Sequence, residues 1–170
     1  MVRQSNVDTI VIPVEHVRVV ADAPFTEVIE RLKAETGVFE LADFQRRVTA
    51  GESPQSILDA IARMAGPSGF MRFLEADHGS ILRLQGQEAR AVRFLIGHPL
   101  IAARMTKCAL GSALYAPLSL LVASEGSRAF LEYDRPSTLF ARFRDAEVAT
   151  VARELDDKLD ALIQSIAGRR

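Results

Sequence analysis

One cysteine in 170 residues leaves no partner for an intramolecular disulfide, so a stapled scaffold is excluded and a reducing cytoplasm is the expected location. An excess of one charge is missing too. Lys and Arg number 21 against 22 Asp and Glu, a formal net charge of −1, and no basic stripe suggests a nucleic acid partner. Long apolar runs are absent: the stretch from Ala113 to Ala123 is broken by Pro117 and falls short of a span, so no membrane segment is expected. The start, MVRQSNVD, lacks the apolar run of a signal peptide. No internal repeat, low-complexity segment or linker divides the chain, which therefore reads as a single domain over 1–170. Neither CxxC nor HExxH occurs, and no stretch spells a catalytic or cofactor motif of known mechanism. Neither metal nor cofactor is expected.

What is present is an ordinary globular balance of 48% apolar and 25% charged residues, with clear periodicity. Period-2 alternation marks strands at Val92, Phe94 and Ile96, at Leu118, Leu120 and Val122, and at Ala129, Leu131 and Tyr133. The Ser124-Glu125-Gly126-Ser127 turn joins the last two as a hairpin. Further strands are expected at His16 to Ala21 and at about Phe70 to Ala76, while VDTIVI before Pro13 is too ambiguous to assign.

Helical spacing of Phe25, Val28, Ile29 and Leu32 predicts a helix opened by Pro24 and ended by Gly37. Between 38 and 66 two short helices fit, the second capped by Ser53 with Pro54 at its first position. Residues 81–84 read equally as a hairpin partner or a short helix. Pro99 suits the first position of a helix capped by His98 and running to about Cys108, and Ser137 suits the cap of a short turn. Asp145 caps the longest helix, with Val148, Val151, Ala152, Leu155, Leu159, Leu162, Ile163 and Ile166 in one stripe and Arg153, Asp156, Asp157, Lys158 and Asp160 facing out.

These elements predict an α+β fold: a two-layer sandwich with a mainly antiparallel sheet of four to five strands, the first and last long helices on one face, and inserted short helices. The other face would carry Leu95, Leu121, Phe130 and either Phe73 or Leu74 among Arg93, Ser119 and Glu132. Such a half-apolar surface calls for a cover, either a second copy in a homodimer or the 38–66 helices.

Four segments, FMRFLEADHGSILR, RFLIGHPLIAARM, YAPLSLLVAS and FLEYDRP, occur in this order with amphipathic helices before and after. The chain in this respect resembles the domain of unknown function 302 family over about 17–166. That family carries an Asp-His pair ending one strand, Gly-Asn-Pro ending the next, a Pro-aliphatic strand start and a Tyr-Asp near the hairpin's end. These correspond to Asp77-His78, Gly97-His98-Pro99, Pro117-Leu118 and Tyr133-Asp134. The resemblance implies a β-α-β-sheet-α arrangement, usually dimeric, and no established activity. His98 departs from the usual Asn, and the 38–66 helical segment exceeds shorter members.

The candidate ligand-binding residues are Asp77, His78, Gly97, His98, Tyr133 and Asp134. The free N–H groups of the helix at Pro99, flanked by His98, with His78 and Tyr133 on the rim, suit a small anion or carboxylate. On this reading the protein is a non-enzymatic binder of a small anionic ligand, or a structural homodimer. The alternative is a hydrolase or isomerase using His78 or His98 as general base with the helix N-terminus as oxyanion donor. A plainer account also fits these residues: His98 caps its helix, Asp77 bonds turn amides and Tyr133 is a sheet residue. His98 and Cys108, roughly 14 Å apart along a helix, cannot share one metal ion. Cys108 reads as a small buried apolar residue.

Overall fold

Alternation becomes sheet because each strand presents one carbon-rich face to a common core. The computed structural model describes residues 7–168. Its strands are β1 (His16–Val20), β2 (Gly37–Val38), β3 (Met71–Asp77), β4 (Arg90–Gly97), β5 (Leu118–Glu125) and β6 (Arg128–Asp134). They lie in the order β1-β6-β5-β4-β3-β2, and every neighbouring pair is antiparallel except β2 with β3. Six strands replace the expected four to five. The addition includes β2, whose two residues are too short to show alternation; Gly37 N–H bonds Phe70 O at 2.9 Å and Phe39 N–H bonds Arg72 O at 2.9 Å.

Seven α-helices occur among the described residues: α1 (Phe25–Glu35), α2 (Leu41–Thr49), α3 (Pro54–Arg63), α4 (His78–Leu84), α5 (Pro99–Thr106), α6 (Pro136–Phe140) and α7 (Ala146–Ala167). Both α1 and α7 pack on the face formed by Val92, Phe94, Ile96, Leu118, Leu120, Val122, Ala129, Leu131 and Tyr133, as the alternation predicts. All eight apolar stripe residues of α7 are buried, and the helix starts where Asp145 Oδ1 accepts the Val148 N–H at 2.9 Å. Each buried Leu or Ile of that stripe contributes about 1.5–3 kcal/mol relative to exposure. None of the helices in the described residues is long and apolar enough to cross a membrane.

Local departures have local causes. Residues 78–84 form a helix because the Asp77 side chain accepts the Ser80 N–H at 3.0 Å. Ser137 is not a cap: α6 begins with Pro136 at its first position, and Ser137 N–H donates to Asp156 Oδ1 at 2.9 Å. Asp156, Lys158 and Asp160 are half-buried rather than facing out, because they flank the stripe and meet neighbouring loops. Cys108 is exposed, since α5 ends at Thr106 and the chain turns away there.

The second sheet face is not where α2 and α3 make their main contacts. These helices pack instead on each other and, through α3, on α5. One of the face's apolar groups is covered by arginine: the Arg18 guanidinium lies 3.8 Å from the Phe130 ring centre, leaving Phe130 only 8% exposed. On the same face, farther along β5, Arg93 bonds Ser119 at 2.8 Å.

Candidate functional site

Residues 38–65 form a lobe that leaves and rejoins the fold at one point. Gly37 and Gly66 both donate to Phe70 O, at 2.9 and 3.1 Å, and their backbones touch so closely that a Cβ on Gly66 would collide with the Gly37 amide. Only glycine fits either place. The lobe stands against α5, and a cavity of about 380 Å³ lies between them, within the size range of small-molecule sites. Phe39, Phe44 and Ile61 of the lobe, Phe73 of β3, and Ile101 and Met105 of α5 supply most of its carbon wall.

Two backbone features shape that wall. The β3–β4 register passes from Arg72↔Ile96 directly to Leu74↔Leu95, so Phe73 is a bulge residue taken out of the alternation. Its ring packs on Phe39, centres 4.8 Å apart at 27°, and Phe44 follows at 5.8 Å and 44° from Phe39. Gly97 gives the second feature. A Cβ there would sit 3.3 Å from Pro117 Cβ and 3.6 Å from Phe73 Cε2, so its absence lets Phe73 and Pro117 close the floor.

His98 is the principal polar group on the lining. Its Nδ1 accepts the Leu100 N–H at 3.2 Å, which caps α5 and leaves the ring proton of the neutral form on Nε2. Burial first, and then the Lys158 ammonium on α7, hold its pKa below the ordinary value of 6.5, so the imidazole is neutral at pH 7. Lys158 itself lies over the Phe70 ring at 5.9 Å and donates to Ser68 O at 3.4 Å. The cavity thus combines a carbon lining with one neutral imidazole, and Lys158, which is not on the lining, is near enough to act on that imidazole.

The six sequence-predicted residues do not converge. Gly97 and His98 line the cavity together. Asp77 pairs with Val92 whereas Gly97 pairs with Met71, so Asp77-His78 stand at the opposite end of β3, five strand residues or about 16 Å away. Asp77 is engaged there with Arg83 at 2.9 Å, and that guanidinium holds its carboxyl below the usual range. Tyr133 points into the core face, where its hydroxyl donates to Asp160 Oδ1 at 2.8 Å; burial and then that carboxylate push its pKa up. Asp134 lies on the second face, 2.9 Å from His16 Nδ1. His78, Tyr133 and Asp134 border one shallow depression there, with His16, Arg93, Ser119, Leu121 and Glu132. A general base at His78 therefore has no access to the α5 N-terminus. Among the described residues no group of three or more His, Cys, Asp or Glu is arranged to hold a metal ion.

Sequence reasoning does not single out the phenylalanines. Phe44 fits a helical stripe and Phe73 a strand, and neither pattern distinguishes a core ring from a cavity ring. The glycine pair at 37 and 66, bracketing the helical segment, is the signal that a closed lobe is present.

The family model for the domain of unknown function DUF302 matches residues 44–166, beginning inside α2 rather than near residue 17. No curated protein matches the chain. Among solved structures it is similar to the crystal structure of an uncharacterized conserved protein DUF302 from Bacillus stearothermophilus, at 18% identity and a TM-score of 0.62. The alignment covers 89% of this chain and 97% of that one, and at this identity the likeness is one of fold.

Proposed function

The chain belongs to the DUF302 family, and from that premise we propose that it is a non-enzymatic binder of a small amphiphilic carboxylate, whose apolar body fills the cavity beneath the lobe. The observation that carries this reading is the 380 Å³ carbon-lined space with His98 as its polar end. The Nε2–H donates to a carboxylate oxygen, and Lys158 supplies the attraction that a neutral imidazole lacks. A bare inorganic anion would leave the carbon lining unused. The expectation of an anion at the α5 N-terminus is thereby narrowed, since the imidazole already caps one of its N–H groups.

Calorimetric titration with octanoate tests the proposal. Wild type is expected to bind it, and His98→Asp, which can still cap α5 but offers no donor and repels a carboxylate, is expected to bind about 10- to 100-fold more weakly. No heat with wild type, or equal affinity in the variant, overturns the reading.

A homodimer through the second sheet face and a cytoplasmic location complete the proposal. Support for the dimer comes from the half-buried Leu95 and Leu121 beside Leu74, which is 47% exposed. Support for the location comes from the single exposed thiol of Cys108.

A further inference from the structure

Phe70 and Phe94 have no exposed surface, Phe140 has 1% and Phe130 has 8%, while Phe25 and Phe143 are half-buried away from the cavity. Phe39, Phe44 and Phe73 are both half-buried and on the cavity lining. Phe39 packs on each of the other two, and ring surface remains free on the cavity side. Their positions are set by backbone rather than by mutual packing alone. The Phe39 N–H is tied to Arg72 O at 2.9 Å, and the next residue, Phe73, is the bulge of β3. A bulge costs ladder pairing, and here it turns a ring out of the strand's alternation toward Gly97 and Pro117. Across from this wall stand Ile101 and Met105, the latter with a polarizable sulfur suited to a ring edge.

Resting on the cavity reading above, we propose that the occupant is an aromatic carboxylic acid, its flat body against Phe39, Phe44 and Phe73 and its carboxylate at His98, with Phe73 as the residue that selects a planar body over a saturated one. Any apolar acid gains from leaving water. Only a planar π system gains in addition from offset or edge contacts with fixed rings, by a factor of about three to ten for each good pair.

The test uses three probes on the full chain by calorimetry: 2-naphthoate, decalin-2-carboxylate of nearly the same outline, and octanoate. Wild type is expected to prefer 2-naphthoate over decalin-2-carboxylate by about tenfold. Phe73→Leu is expected to lose that preference while still binding octanoate, which also reports that its cavity is intact. A wild-type preference below about threefold, or one that persists in Phe73→Leu, overturns the aromatic assignment and leaves the cavity reading standing. If Phe73→Leu fails to fold, Phe44→Leu takes its place with the same two outcomes. Failure of all three probes to bind wild type overturns the cavity reading and this inference with it.

Discussion

At the scale of the residue, His98 does two jobs through its two nitrogens, a cap through Nδ1 and a donor through Nε2. Because burial and Lys158 depress its pKa, protonation is easier in the unfolded chain than in the folded one. Stability from this group is therefore complete above about pH 6.5 and falls as pH drops from there through the lowered folded value. His98→Asn, which keeps a strong cap, lacks this titration, so the wild-type-minus-variant difference in urea unfolding should fall as pH drops from about 7 to 5. An unchanged pH slope would show that His98 titrates as if exposed. Gly97 is legible in the chain as part of a motif, but its use is not. Gly97→Ala should cost about 1 kcal/mol by crowding Pro117, and should weaken octanoate binding at the same time. Tyr133 and Asp134 border the same depression but send their side chains apart, because adjacent strand residues face opposite sides of a sheet: one enters the core and the other does not.

Elements are most legible where one periodicity runs long enough. The α7 stripe needs only 3.6-residue spacing and an Asp cap, both visible in the chain, and Leu159→Ala should cost about 2–5 kcal/mol in chemical unfolding. A loss below about 1 kcal/mol would mean that the stripe collapses around the gap. Legibility ends where an element depends on long-range pairing. The two residues of β2 have no alternation to display, and the bulge at Phe73 exists only in the register between β3 and β4. Nor does the helical spacing of α2 and α3 say that they lean on each other and, through α3, on α5. The lobe's base supplies the sharpest test at this scale. Gly66→Ala would drive a methyl into the Gly37 backbone, and a loss of at least about 3 kcal/mol in urea unfolding is expected. A loss under about 1 kcal/mol, on the order of an ordinary surface change, would show that the two chain crossings are free to separate.

For the whole molecule, the layered arrangement follows from the order of strands and amphipathic helices, whereas the cavity does not, because it forms between a lobe and a helix about 40 residues apart in the chain. The proposed homodimer belongs to this scale. Sedimentation of wild type should give a dimer that Leu121→Glu dissociates; a monomer at high micromolar concentration would leave the second face to solvent and to Arg18 over Phe130. The claim on which the functional account turns is that the cavity's polar end is His98, and the three histidines of the chain allow it to be read directly. In protein labelled with ¹⁵N-histidine and titrated with octanoate, the Nε2 resonance of His98 should shift saturably while those of His16 and His78, on the other sheet face, stay in place. A His98 resonance that does not move as octanoate binds, or three resonances that drift together, would contradict the account.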